Sequence, residues 1–550
     1  MSDPERRSLC EAVDGSILMG HMQELARWVK LSGTPDELRS LDYFQSKLDQ
    51  YGYRTRLIMH DAYISLPGKA RVDVDNRALT SITHSFSRSS PANGVTGRLV
   101  YVGEGDEADF TGRDLHGAIV LMEGIASPGQ AARASRAGAV GQVQISPHEH
   151  LHEMCVSPVW GSPSGDTQSD LPTTVVCTVS NADGGGLRER LARGEHPKVT
   201  LHAEVDTGWR QTPILEAEID GPDVDGPFIL YSGHHDTWYY GVMDNGAANA
   251  TMLEVARLTA GERAKWRRGL RLCFWSGHSH GRYSCSTWYA DENWDELERR
   301  CAVHVNVDST GGVGAVVLKN AAAAPELVAL AGDAIGEQAG SEYAGRRMSR
   351  SSDQSFWGIG IPAMFGALSE QPPAPVKMRN ALGWWWHTPH DLLDKIDQNN
   401  LVRDTRVYVH TLWRLLTDPV LPLDFSAHAR VLLEELGTLR SSLGERFSVD
   451  GLIAAATTLR DTAAADGHSD AALMRASRAL APVYYTSGDR FAHDPALPLP
   501  VWPVLDPLRR LAKMAPGTDS ARLSTVSATR GRNRLAHALR EAISALDGTA

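Results

Sequence analysis

Two histidines and two aspartates occur in a pattern suited to holding a metal ion. His234 follows the apolar run Phe228–Tyr231, and Asp244 comes ten residues later, just before a helical pattern. Asp308 ends the apolar run 302–307, and His387 lies further along the chain. Imidazole and carboxylate groups are common ligands of divalent transition metals. Each piece alone fits a capping Asp or a surface histidine, but the four together predict a metal site.

Asp236 stands two residues after His234, in the stretch Tyr231-Ser-Gly-His-His-Asp-Thr-Trp238. A carboxylate on the same side of the chain can accept the second ring N–H of a ligating histidine and so orient the ring. We therefore expect Asp236 to support catalysis by orienting His234.

Two further histidines, His278 and His280, follow the apolar run 270–275. Residues two apart on an extended chain point to the same side, so both imidazoles could face one site. Histidine can bind a metal. Its ordinary pKa of about 6.5 also suits a general base near neutral pH. Either imidazole could ligate the metal; our lead assignment makes His278 the base and His280 the additional ligand.

A local zinc motif is also present, because His148-Glu-His-Leu-His152 matches the H-E-x-x-H pattern. That pattern forms a zinc site only on a helix, where both histidines share a face. Pro147 and the β-rich surroundings argue against a helix here. We expect a solvated loop; the alternative is a loop that reaches over the main cleft, where His150 or His152 touches substrate.

Arginines precede Ser352-Asp353-Gln354 in the chain, namely Arg346, Arg347 and Arg350. One of them could bind a substrate carboxylate through paired hydrogen bonds. Solvated side chains explain the same pattern equally well, so both readings stay open.

The elements that must position these residues change along the chain. Helical periodicity covers about 16–57, short β runs cover about 90–210, and strand-like and helical runs alternate from 226 to about 415. Leu, Ala and Arg then recur at helical spacing beyond about 420. Alternating strands and helices predict an α/β sheet with helices on both faces. We divide the chain at 1–90, 91–211, 212–418 and 419–550.

The order of His234, Asp244, Asp308 and His387 resembles the co-catalytic zinc aminopeptidase and carboxypeptidase family, which includes glutamate carboxypeptidase and the transferrin receptor ectodomain. By this resemblance 91–211 is a β-rich protease-associated insert and 419–550 a helical dimerisation domain. The resemblance implies a zinc-peptidase-type mixed sheet flanked by helices. It also places the four residues on ligand positions, with Asp244 as the bridging carboxylate and Asp236 as the orienting residue.

The chain departs from that family at two neighbouring positions. The family carries a Glu-Glu pair, of which the first is the general base and the second a metal ligand, and here His278 and Ser279 replace them. A serine hydroxyl is a poor zinc ligand beside carboxylate or imidazole. Four of the five ligand positions are kept, and histidines stand at or beside the changed positions. We interpret this pattern as a change in the chemistry of the site. The alternative is a catalytically inactive scaffold.

Composition excludes several classes of protein. The 55 basic and 67 acidic residues leave a formal charge of −12, so no basic excess favours nucleic acid as a partner. We see neither a signal peptide nor an apolar run long enough to cross a membrane. The six cysteines form no CxxC pair. We therefore expect reduced thiols and a cytoplasmic location.

These observations predict a metal-dependent hydrolase that cleaves an amide in a peptide or a small amide-bearing metabolite. One or two divalent transition metal ions would be bound, with zinc favoured over iron, manganese or nickel. The alternatives are a metal-dependent lyase and a catalytically inactive dimeric scaffold. By resemblance, a homodimer forms through the C-terminal helices.

Overall fold

The computed structural model describes residues 4–374 and 381–548. Twelve strands in this part of the chain form one mixed sheet. They are β1 Arg54–Val74, β2 Arg77–Leu79, β3 Ser81–Thr83, β4 Val95–Tyr101, β5 Ile119–Glu123, β6 Gly141–Ile145, β7 Val175–Val179, β8 Lys198–Ile219, β9 Phe228–His234, β10 Gly269–Trp275, β11 Cys301–Asp308 and β12 Ala363–Ala367.

Sixteen α-helices accompany the strands within the described ranges. They are α1 Pro4–Glu11, α2 Gly15–Leu25, α3 Pro35–Gln50, α4 Glu107–Phe110, α5 Pro128–Arg136, α6 Asn181–Ala192, α7 Ala248–Gly261, α8 Ser284–Glu292, α9 Trp294–Arg300, α10 Val328–Ala339, α11 Gln398–Thr417, α12 Phe425–Leu443, α13 Asp450–Ala463, α14 Asp470–Tyr485, α15 Asp506–Lys513 and α16 Asp519–Asp547. The predicted mixed α/β fold and a helical C-terminal region are both confirmed.

The sheet order is β12-β11-β9-β10-β8-β4-β5-β6-β7-β3, with β1 paired to β8 and β2. Strands β9 to β12 run parallel, as buried strands joined by helices must. Their near-continuous apolar sequences are buried on both faces. Their carboxyl ends therefore meet at one edge, where α/β sheets place ligand-binding groups.

A long antiparallel pair, β1 with β8, links the two halves of this sheet. At one end β8 pairs with β10 of the parallel strands, and at the other with β4 of the short strands. The short strands enclose an apolar cluster of their own around Ile119, Val143 and Leu201. This pair was not predicted, because β1 is amphipathic and partly exposed rather than a continuous apolar run.

The predicted helical segment of about 16–57 extends too far. Helix α3 ends at Gln50, and Gly52 adopts a φ of 88°, a left-handed conformation that glycine favours after a helix. Residues from Arg54 onward belong to β1. Among the described residues, no helix has both the length and the apolar character that crossing a bilayer requires.

Candidate active site

His234 and Asp308 end two neighbouring parallel strands, β9 and β11. Their side chains meet beyond the strand ends, where the Nε2 atom of His234 lies 3.8 Å from a carboxylate oxygen of Asp308. His234 is fully buried, while Asp308 is slightly open to the cleft. The sheet therefore brings together two predicted ligands that are 74 residues apart in sequence.

Asp244 joins this pair to His387. It lies in the irregular turn Val242–Ala247 that precedes α7. Its Oδ1 atom is 3.1 Å from Nε2 of His234, and its Oδ2 atom is 3.0 Å from Nε2 of His387. The structure thus brings all four predicted ligands together around one carboxylate.

The turn that carries Asp244 is held by Asp391, a residue that we did not single out from the sequence. The two carboxylate oxygens of Asp391 accept hydrogen bonds from the backbone N–H groups of Met243 and Asp244, at 2.9 and 3.0 Å. Burial raises the pKa of Asp391 to about 7, although both N–H donors favour its charged form. The only sequence signal was its place four residues after His387.

The second ring nitrogen of each central histidine is held by a backbone carbonyl. Nδ1 of His234 lies 2.8 Å from the carbonyl oxygen of Asp236, and Nδ1 of His387 lies 2.7 Å from that of Glu153. A carbonyl only accepts, so both Nδ1 atoms carry the proton. In the neutral ring, Nε2 then presents a lone pair to a carboxylate oxygen. A cation between the two is what this donor set fits.

The charges of the site draw a cation to Nε2 of His234, either a proton or a metal ion that takes the place of that proton. Burial alone would lower the pKa of His234, but the carboxylates of Asp244 and Asp308 raise it well above its usual value. Burial alone would raise the pKa of Asp244, but the imidazoles of His234 and His387 hold it well below its usual range. The carboxylate is therefore ionised at neutral pH and available as a ligand.

The Asp236 carboxylate acts differently from the sequence-based expectation. Its main-chain carbonyl, and not its carboxylate, accepts the Nδ1 proton of His234. The buried carboxylate accepts bonds from the backbone N–H groups of His278 and Ser279, at 3.2 and 2.8 Å, and from the Ser32 hydroxyl at 2.7 Å. Asp236 thus positions the loop after β10.

His278 lies at the centre of the site. Its ring stacks on that of His234, with centroids 3.7 Å apart and planes 12° apart. Its Nδ1 atom is 2.6 Å from a carboxylate oxygen of Asp353, whose other oxygen accepts a 2.8 Å bond from the Ser286 hydroxyl. Within the described residues, one group of three potential ligands lies within 4.8 Å of one another: His234, His278 and Asp308.

His280, the predicted additional ligand, is not part of that group. Its ring packs against Trp238, with centroids 4.3 Å apart, and its Nδ1 atom lies 3.0 Å from the Ser32 hydroxyl. The expectation that His278 and His280 share a side assumed an extended chain. Strand β10 instead ends at Trp275, and Gly277 turns the backbone with a φ of 63°.

The H-E-x-x-H segment follows β6, lies outside regular secondary structure and reaches the site. Its histidines bond to each other, with Nε2 of His148 and His152 3.0 Å apart, while Nδ1 of His152 lies 2.5 Å from the carbonyl oxygen of Trp386. The next residue, Glu153, exchanges two bonds with His387: its N–H donates to the His387 carbonyl at 3.0 Å, and its carbonyl accepts the Nδ1 proton. Glu153, which directly follows the segment, therefore fixes the position of His387.

A cleft of about 900 Å³ opens over these residues. Asp244, His278, Ser279, Asp308 and His387 lie on its floor, and Trp386 forms part of a wall. Arg346, Arg347 and Arg350, for which the sequence left substrate binding and solvation as alternatives, also line the cleft. Arg346 is paired with Glu370 at 2.8 Å, whereas Arg347 and Arg350 donate to backbone carbonyls.

Comparison with known proteins agrees with this geometry. The model of Peptidase family M28 matches residues 216–412. A probable glutamate carboxypeptidase of Zea mays is 21% identical over 535 residues, covering 80% of this chain and 72% of that protein. A probable glutamate carboxypeptidase of Arabidopsis thaliana is 22% identical, covering 81% and 74% respectively.

Two solved structures share the fold. The Aneurinibacillus sp. strain AM-1 aminopeptidase gives a TM-score of 0.57 at 20% identity, covering 76% of this chain and 98% of that one. A peptidase M28 precursor of Shewanella amazonensis gives 0.61 at 19% identity, covering 76% and 97%. The predicted family resemblance and the expectation of a metallopeptidase-like hydrolase are confirmed.

Proposed function

Because residues 216–412 match peptidase family M28, we propose that this protein hydrolyses an amide bond with the help of a divalent metal ion. The observation that carries the proposal is the placement of Asp244, whose two oxygens face Nε2 of His234 and Nε2 of His387 at 3.1 and 3.0 Å. The substrate is a peptide or a small amide-bearing metabolite. Zinc is the favoured ion, with iron, manganese and nickel as the alternatives.

The ligands in this proposal are His234, Asp244, Asp308 and His387. Bound there, a divalent ion would polarise the amide carbonyl and lower the pKa of water. The backbone carbonyls of Asp236 and Glu153 keep both Nε2 lone pairs directed at the site. Asp391 keeps the Asp244 turn in place through two backbone hydrogen bonds. His280 is omitted, because its ring contacts Trp238 and Ser32 instead.

His278 serves as the proton carrier. The Asp353 carboxylate, 2.6 Å from Nδ1, accepts the proton on that nitrogen and leaves a lone pair on Nε2. This Nε2 atom takes a proton from the attacking water as its oxygen bonds to the amide carbon. The same proton then passes to the leaving nitrogen as the C–N bond breaks. Asp353 stabilises the imidazolium form between these two transfers.

The remaining predictions on partners and location also form part of this proposal. The helices after 419 form a homodimer interface, and Leu523 and Val526 on α16, which are 72% and 51% exposed, are apolar side chains that such contact would cover. The described cysteines are all free and buried, which supports a reducing compartment such as the cytoplasm. The divisions near 90, 211 and 418 remain our proposed domain boundaries.

The decisive experiment compares Asp244→Ala with Asp225→Ala, an exposed acid on the loop before β9. Purified wild-type protein and both variants are assayed for bound transition metals by elemental analysis and for hydrolysis of a panel of peptides and amides. We expect bound metal and turnover in the wild type and in Asp225→Ala, and neither in Asp244→Ala. A protein without metal, and with stability unchanged by chelator, would instead be a scaffold. Metal with product formation but no water consumed would indicate a lyase.

A further inference from the structure

We propose that the centre holds one tightly bound ion, at the side of His234 and Asp308, rather than a pair. This inference rests on the proposed function, since it concerns the metal site used there. It follows from counting the protein donors available at each end of the Asp244 carboxylate.

The end that faces His234 offers three donors, from His234, Asp244 and Asp308. Nε2 of His234 lies 3.1 Å from Oδ1 of Asp244 and 3.8 Å from Oδ1 of Asp308. The His278 ring stacks on that of His234 and is not counted here, because it serves as the base. Three protein ligands and one open position are the usual set of a catalytic zinc site. The end of the Asp244 carboxylate that faces His234 therefore supplies the three protein ligands of a catalytic zinc site without any rearrangement of side chains.

The end that faces His387 offers only two donors, Nε2 of His387 and Oδ2 of Asp244, 3.0 Å apart. Ser279 lines the same cleft as His387 and stands where the resembled family carries a ligand Glu, and its buried hydroxyl has no hydrogen-bond partner among the described residues. A neutral hydroxyl is a weak ligand for a divalent transition metal.

Other acids and imidazoles near this end are already engaged. The Asp236 carboxylate accepts three hydrogen bonds and that of Asp391 accepts two. The Glu153 carboxylate has the Tyr239 hydroxyl as its hydrogen-bond partner. His280 packs on Trp238. Residues 375–380 read Pro-Val-Lys-Met-Arg-Asn in the sequence and bring no imidazole, thiol or carboxylate.

The test is to supply the missing donor. Ser279→Glu introduces a carboxylate into the cleft that Asp244 and His387 also line, while Ser279→Ala is the matched control that removes the hydroxyl without adding an acid. Ser279→Asp serves as a second variant if the longer side chain prevents folding, which circular dichroism would show. Each full-length protein is equilibrated with zinc, dialysed and analysed for ions per chain, and a competing chromophoric chelator gives the affinity of each ion.

We expect one ion per chain in the wild type and in Ser279→Ala. We expect two in Ser279→Glu or Ser279→Asp, with the affinity for the second ion raised at least ~10-fold. Two ions of similar affinity in the wild type would overturn the inference, and so would a single ion in both folded acidic variants. A wild type that binds no ion would instead contradict the proposed function, so the two failures are distinguishable.

Discussion

The described residues contain two histidine clusters that are linked through Trp386 and Glu153, and only one of the two has the geometry of a metal site. In the insert, His148 and His152 match a known zinc motif, yet protein groups occupy their ring nitrogens: Nδ1 of His148 accepts the N–H of His150, the two Nε2 atoms face each other, and Nδ1 of His152 meets the Trp386 carbonyl. In the central cluster, His234 and His387 direct Nε2 at carboxylate oxygens.

The difference shows that a metal site depends on what faces the free lone pairs, and not on the spacing of histidines in the chain. The insert pair can satisfy all four of its ring nitrogens with neutral tautomers, since each bond then has one donor and one acceptor. His234 and His387 cannot do so as neutral tautomers, because the carboxylates and carbonyls that face their ring nitrogens are all acceptors. A bound cation would satisfy the facing acceptors of the central cluster, whereas the hydrogen bonds of His148 and His152 are complete without one.

The sharpest way to break this comparison is to remove one histidine from each cluster. His234→Ala should abolish metal binding and lower turnover at least ~100-fold, because the ion and its electrostatic stabilisation are lost together. His148→Ala should retain the metal, since no ion depends on that ring. Elemental analysis of both variants checks the contrast, and metal loss from His148→Ala would show that the motif is a ligand set after all.

The role of His278 provides the next largest effect. His278→Ala should lower kcat by about 10²- to 10⁴-fold, the usual contribution of a general base, while leaving the metal content nearly intact. Single-turnover kinetics and elemental analysis on the same preparation check this. Loss of metal together with activity would reassign His278 from base to ligand.

A substitution at Asp353 gives a further test of the role of His278 as the base. Asp353→Asn keeps an acceptor for the Nδ1 proton of His278 but removes the negative charge, so we expect kcat to fall about 10- to 100-fold. Ser286→Ala removes only the hydroxyl that bonds to Asp353 and is the matched control; an equal loss there would indicate a purely structural effect.

The hydrogen bond between His152 and the carbonyl of Trp386, the residue before His387, tests the cluster that lacks a metal site. His152→Ala leaves the Trp386 carbonyl without its donor and should cost about 1–3 kcal/mol of unfolding free energy. His152→Asn retains an N–H donor near the Nδ1 position and should recover part of that loss. Urea denaturation of both variants measures the difference, and equal stability of the two would mean that the bond to Trp386 contributes nothing.

Acid should destabilise the fold through a neutral buried histidine, His84. His84 is fully buried between the N–H of Met154 and the Thr178 hydroxyl, and burial lowers its pKa to about 3. The unfolded chain binds a proton near pH 6.5 and the folded chain does not, so stability is lost as pH falls below 6.5. We expect a loss of about 1 kcal/mol between pH 6.5 and 5.5, and a smaller one in His84→Gln. Unfolding curves at both values check the sign.

Much of the fold was accessible from local patterns. The apolar runs predicted β9, β10 and β11, and the spacing of small and apolar residues predicted α7. Asp308 and His234 could be identified because they stand at strand ends. The long pair of β1 and β8 was missed, since amphipathic strands 21 and 22 residues long carry no continuous apolar signal, and the helical segment was extended into β1.

Residue chemistry and strand order by themselves determined which side chains of this protein can hold an ion, because parallel strands must end at a common edge. Tertiary structure alone decided what each of those side chains faces. The contact between His387 and Glu153 joins residues 234 positions apart, and the turn at Gly277 separates His278 from His280. Such contacts depend on how loops pack over the sheet, and hydrophobic periodicity carries no information about that packing.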